Sequence, residues 1–109
     1  MVISGRGSVT LVPFPFSDLS QAKLRPAVVL ADAGRGDWIL CQVTSKPYGD
    51  DQAIEITAED FDQGGLRVTS FARPGKLFKA HMTLLHADAG RLKAEAFARV
   101  RAGVLRVLD

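Results

Sequence analysis

LVPFPFSDLSQAKLRPAVVL, residues 11–30, holds two apolar runs around a polar loop that ends in Arg25-Pro26. A third apolar run, WILCQV (38–43), delivers Thr44-Ser45 within VTSKP (43–47). Pro26 biases Arg25 toward extended backbone, and AVVLA (27–31) has the continuous apolar content of a buried strand. Val9–Val12 reads as a short strand. Pro13 and Pro15 cannot donate to a sheet ladder, so PFPF is a strand end, an edge or a loop. Ser17–Leu24 is polar and reads as a loop, and Gly34 with Gly36 marks a turn. An arginine and a hydroxyl pair therefore stand at the ends of adjacent strands.

Working outward, Lys46–Asp51 with Pro47 and Gly49 reads as a second loop. Ala53–Thr57 alternates apolar and polar residues, the pattern of a half-buried strand. Asp60–Gly65 reads as a turn, with room for one helical turn before it. Leu66–Ala72 and Lys76–Ala80 read as two strands separated by Arg73-Pro74-Gly75. From Leu92 the apolar residues fall at 92, 96, 97, 100, 104, 105 and 108, a helical stripe with basic residues largely opposite. Gly103 interrupts that helix at a cost of about 1 kcal/mol relative to Ala. Short strands, Gly and Pro turns and a closing helix imply a mainly β, α+β fold: a small, strongly bent antiparallel barrel with a C-terminal helix.

A chain of 109 residues is expected to form one domain, 1–109, and is small enough that oligomerisation could add stability. At 47% hydrophobic and 24% charged residues it is ordinary globular material, not a disordered segment. It has no apolar run near the ~20 residues of a membrane span and no signal-peptide pattern, so a soluble cytoplasmic protein is expected, with no membrane partner. One cysteine, Cys41, cannot form an internal disulfide, and its apolar run makes it a buried structural thiol. Two histidines and one cysteine at no recognisable spacing offer no zinc site, so neither metal nor cofactor is expected.

The net charge is only +2, but it is unevenly spread. Residues 50–62 hold six of the twelve acids, and residues 63–109 hold nine basic residues against three acids. This is either a solvated surface or a phosphate-binding face with the acids set elsewhere. Lys23, Arg25, Lys46, Arg73 and Lys76 punctuate the loops. Phe14, Phe16 and Tyr48 are aromatic candidates for stacking on unpaired bases, although core or dimer-interface packing is the favoured use of Phe14 and Phe16 in a chain with few other aromatics.

The order RPAVVL, VTSKP, GGLRVTSFARPGKLF (64–78) and LLHADAGRL (84–92) resembles the PemK/MazF family of bacterial toxins, the ribonuclease half of type II toxin–antitoxin pairs. The resemblance covers nearly the whole chain. It implies an SH3-like barrel of the PemK/MazF/CcdB-like toxin fold, usually a two-fold homodimer. The implied activity is metal-independent cleavage of single-stranded mRNA, giving 2′,3′-cyclic phosphate and 5′-hydroxyl ends. The implied partners are a single-stranded RNA substrate and a cognate antitoxin. Arg25 and Thr44 fall on the catalytic pair: Arg25 stabilises charge on the phosphoryl group, and Thr44 hydrogen-bonds to the scissile phosphate. Ser45, Lys23, Lys46, Arg73, Lys76 and Phe16 are the implied RNA-binding set.

Read without the resemblance, Arg25 is a charged residue ending a surface loop, paired with Asp18 or with a dimer mate, and Thr44 and Ser45 are ordinary turn hydroxyls. Some family members carry a histidine in the loop before the first arginine, or an aspartate two residues after the second. Here those positions offer Leu19 and Ser20, and Gly75. Asp18 is the nearest carboxylate in the loop, and His81 and His86 are remote in sequence. Two other functions share the fold: a toxin that inhibits a protein target such as DNA gyrase, and a catalytically silent binder of RNA or antitoxin.

Overall fold

The computed structural model describes residues 5–15, 22–85 and 87–109, with the side chains of Phe14, Pro15 and Ala22 outside that description. Seven strands form one antiparallel sheet: β1 (Ser8–Pro15), β2 (Ala22–Gly34), β3 (Asp37–Thr44), β4 (Ile54–Ile56), β5 (Phe61–Gly64), β6 (Ser70–His81) and β7 (Ala87–Leu92). Helix α1 (Ala94–Leu108) follows. The spatial order is β4-β6-β3-β2-β1-β7-β5.

Every strand sends a residue into one apolar cluster with the helix. Val9, Val28, Cys41, Val43, Ile56, Phe61, Ala72 and Leu92 pack with Ala96 and Val100. A sheet that does this with one helix must curl, and the result is a half-barrel with α1 across its concave side. The opposite face carries a second cluster: Val12, Ala27, Val29, Leu40, Ala80 and Leu85, with Trp38 and Phe78 against it. The bent β architecture and C-terminal helix expected from the sequence are present.

β1 runs on through both prolines. Pro13 faces Leu24, Pro15 faces Ala22, and Pro26 of β2 faces Leu11. These three pairs share one parity, so every missing N–H can point away from the partner strand. β7 pairs with β1 only as far as Leu11, and β3 pairs with β2 only from Ala27 onward. The prolines therefore occupy open edges, where the sheet loses no hydrogen bond.

Four segments depart from the sequence reading, one of them Ala87–Leu92, which is strand β7 although the helical stripe is read from Leu92. Ala22–Leu24 is strand, not loop. Asp60–Gly65 is not a turn: a single 3₁₀ turn (Ala58–Asp60) leads into β5, which pairs with β7. There Gly64 faces Gly90, and a Cβ on either would run into the other strand's backbone. Finally, of the expected strands 66–72 and 76–80, residues 66–69 are not strand, and the rest joins into one strand, β6, with a bulge in its middle. Cys41 faces Leu77 and Val43 faces Ala72, so Gln42 alone stands opposite the four residues Arg73–Lys76. A β3 partner on both sides of the bulge keeps Arg-Pro-Gly inside the ladder, which local turn chemistry does not reveal.

The helix end of the fold is anchored by Asp60. The amide and hydroxyl of Thr57 both donate to its Oδ2, at 2.8 and 3.3 Å. Arg99 Nη2 donates to its Oδ1 at 3.0 Å. Burial pushes the Asp60 carboxyl up, but these donors outweigh it and hold it below the ordinary range. Gly103 is not a mere interruption. It is buried, and a Cβ there would lie 3.1 Å from both Ile54 Cδ1 and Pro74 Cγ. Its absence lets α1 approach β4 and the β6 bulge.

Candidate functional site

Side-chain alternation assembles the site. Arg25, Ala27 and Val29 project from one face of β2, and Thr44, Gln42 and Leu40 project from the same face of β3. Ala27 faces Gln42 across the ladder. The same register, continued past its last pair, sets Arg25 opposite Thr44. The second apolar cluster occupies one end of this face, and the polar residues occupy the other. The β6 bulge adds Arg73 and Lys76 at that polar end.

These residues line a cleft of about 670 Å³ bounded by Arg25, Gln42, Val43, Thr44, Ser45, Lys46, Tyr48, Arg73, Lys76, Leu77 and Phe78. Arg25 and Thr44 are thus brought together with Ser45, Lys46, Arg73 and Lys76. Lys23 is exposed on β2 and does not line the cleft. Phe16 and Asp18 lie outside the described residues, as does His86. His81 faces Asp37 at the far end of β3, roughly 23 Å along the strand from Thr44. Its Nδ1 lies 3.0 Å from Thr83 Oγ1 and accepts from the Thr83 amide at 3.3 Å. It is a strand-end histidine, remote from the cleft. The cleft lining contains no histidine and no carboxylate among the described residues.

Thr44 Oγ1 donates to the Lys46 carbonyl at 3.2 Å and accepts from the Lys46 amide at 3.1 Å. The hydroxyl thus folds Ser45 and Lys46 back toward the cleft. Next, Pro47–Asp50 makes a tight turn closed by the Asp50 amide donating to the Pro47 carbonyl at 3.1 Å. Its central residues, Tyr48 and Gly49, have φ of 52° and 78°. Two successive left-handed residues define the hairpin type of turn. The tyrosine is held at the tip, 81% exposed.

Asp50 departs from the reading of the charge pattern that sets the acids apart from a phosphate-binding face. As part of an acidic run it belonged away from the basic face, yet its Oδ2 accepts from Arg73 Nε at 3.0 Å. Its Oδ1 accepts from the Gln52 amide at 3.0 Å. The Arg73 guanidinium and then the Gln52 amide hold the Asp50 carboxyl below the usual carboxylate range. Beneath the bulge, Cys41 Sγ donates to the Arg73 carbonyl at 3.1 Å. Burial pushes this thiol up to about 12, so it is a neutral structural donor. Nothing in the local sequence pairs residue 41 or 50 with residue 73, because the bulge creates both contacts.

The sequence profile of the PemK-like, MazF-like toxins of type II toxin–antitoxin systems matches residues 5–108. The chain belongs to that family. Solved structures agree in fold. MazE–MazF (Form-II) from Deinococcus radiodurans superposes with a TM-score of 0.78 at 20% identity, covering 99% of this chain and 97% of that one. MazF (Form-I) from the same organism gives 0.74 at 21% identity, covering 99% and 98%. A mycobacterial endoribonuclease in complex with its cognate antitoxin gives 0.72 at 12% identity, covering 99% and 95%. No curated protein sequence matches this chain at a significant level. Identities this low establish the shared half-barrel of this PemK/MazF-family chain and nothing finer.

Proposed function

We propose that this toxin is an endoribonuclease that cuts single-stranded mRNA at the Arg25–Thr44 cleft. The observation that carries the reading is the convergence of Arg25 (β2), Thr44 (β3), Arg73 and Lys76 (β6 bulge) on one open cleft. In such a reaction the ribose 2′-hydroxyl gives up its proton to solvent as its oxygen bonds to phosphorus, the P–O5′ bond breaks, and the 5′-oxygen takes up a proton from solvent. The products carry 2′,3′-cyclic phosphate and 5′-hydroxyl ends. Arg25 and Arg73 donate to the phosphoryl oxygens as charge grows on them, and the planar guanidinium suits two oxygens at once. Thr44 turns its hydroxyl proton from the Lys46 carbonyl to the phosphate. Lys46 and Lys76 hold flanking phosphates, which makes affinity fall with salt. Asp50, engaged with Arg73 and held ionised, fits a role in orienting that arginine.

The proposal extends to partners. An antitoxin with an acidic segment would lie over the same cations, and two copies of the chain would form a homodimer in the cytoplasm. No helix among the described residues is long and apolar enough to cross a membrane. The test is incubation of purified protein with long single-stranded RNA in EDTA, with the new ends mapped. Cyclic phosphate and 5′-hydroxyl ends that disappear with Arg25→Ala support the reading. RNA left intact by folded, antitoxin-free protein overturns it in favour of a non-cleaving relative or a protein target.

A further inference from the structure

Gln42 has a buried side-chain oxygen, Oε1, with no hydrogen-bond partner among the described residues. Buried polar atoms are nearly always paired, and exceptions call for an explanation in function or in a bound group. The fold explains why this oxygen is unanswered. It stands opposite the four-residue β6 bulge, where the strand that should cover it has stepped aside. The residue lies on the floor of the cleft, between Arg25 and Thr44 on one side and Leu77 and Phe78 on the other. Tyr48 stands at the cleft mouth, exposed and fixed by its tight turn.

An amide floor, an apolar wall and an aromatic post beside phosphate-binding cations are the parts needed to hold one flat heterocycle. A primary amide offers one donor and one acceptor side by side. That pattern complements the edge of an unpaired base, and exposed aromatic rings supply the stacking surface by which single-stranded RNA is held. We propose that Gln42 hydrogen-bonds to one unpaired nucleobase next to the scissile phosphate, with Tyr48 stacked on it, and so sets the base preference at that position. This rests on the ribonuclease reading above.

The experiment compares wild type, Gln42→Met and Gln42→Glu on a randomised RNA pool, with cleavage sites sequenced. Binding to oligonucleotides carrying 2′-deoxyribose at the cut position is measured in parallel, with each base or an abasic site at each flanking position. In wild type, an abasic site at one position should weaken binding about tenfold, the scale of one lost base contact. Gln42→Met should lose base discrimination at that position alone, again by about tenfold, and keep it elsewhere. Gln42→Glu replaces the donor–acceptor pair by two acceptors, so its preference should move toward guanine, whose N1–H and N2–H₂ are adjacent donors. Unchanged motifs in both variants, with wild type cutting RNA, overturn the Gln42 proposal and leave the nuclease reading standing. Wild type that neither cuts nor binds RNA overturns both. The wild-type abasic series needs no variant to fold, and insensitivity at every position also overturns the proposal.

Discussion

Arg73 Nε donates to Asp50 Oδ2 at 3.0 Å, with the two side chains 24% and 18% exposed. The contact joins the β6 bulge to the turn that carries Tyr48, and it occupies only the inner nitrogen of the guanidinium. Among the described residues the two outer nitrogens have no ion-pair partner, which leaves them to a phosphate. Removing the carboxylate should therefore loosen Arg73 without removing its charge. We expect Asp50→Ala to lower RNA cleavage on the order of tenfold, because misplacing a positioned group is costly even when its chemistry is intact. Asp50→Asn, which keeps an acceptor oxygen, should recover part of the loss. Equal loss in both variants would assign the effect to charge instead of position. Single-turnover cleavage at saturating protein reads the difference.

Arg25→Ala should leave the fold in place and slow cleavage by about 10²–10³, the usual effect of deleting one preorganised donor to a developing oxyanion. Thermal unfolding and cleavage rate measured on the same preparation separate the two effects. A folded variant cutting at the wild-type rate would remove Arg25 from the chemistry.

Acid should weaken the fold through Asp50 and Asp60. Both carboxyls are held below their ordinary value in the folded chain. A depressed folded pKa means the stabilisation is fully present above the unfolded value of about 3.9 and is lost as pH falls through the folded value. Urea midpoints should be flat near neutrality and drop below about pH 4. Asp60→Asn should already be less stable at pH 7, by about 2 kcal/mol for hydrogen bonds to a charged group, and should fall less steeply in acid. Parallel acid limbs for variant and wild type would contradict this.

Gly103→Ala separates helix propensity from packing. Propensity alone favours Ala by about 1 kcal/mol. The new methyl would meet Pro74 Cγ and Ile54 Cδ1 at 3.1 Å, and Pro74 is a fully buried ring with little room to yield. Overpacking costs about 1–3 kcal/mol, so we expect a net loss of about 1 kcal/mol. A melting temperature that rises would show that Ile54 moves aside.

Cys41 should resist a disulfide reagent at pH 8 in the native protein and react fully in urea. It is buried, and its thiol is held neutral with a proton-accepting partner. Native labelling at the unfolding rate would agree, whereas labelling within seconds would place the thiol in a mobile segment.

The strands around Arg25 and Thr44 were legible because their evidence is local: proline positions, continuous apolar runs and two-residue alternation. Those features put an arginine and a hydroxyl at neighbouring strand ends, and the ladder places Ala27 across from Gln42 two residues away. The helix stripe was legible for the same reason, although it overreached: Leu105 and Leu108 are 45% and 68% exposed. The strand β5 was not legible, because four residues ending in glycine become strand only by pairing with β7.

What the sequence by itself determined is the parity of the core strands, the C-terminal helix and the residue types able to hold a phosphate. What only the tertiary structure decided follows from the bulge at Arg73–Lys76. It sets two cations into the cleft, draws Asp50 onto Arg73, pins Cys41 beneath and leaves the Gln42 oxygen unanswered. The physical reason is register. A strand's own residues fix which way each side chain points, but how many residues stand opposite one another is settled by the neighbouring strand.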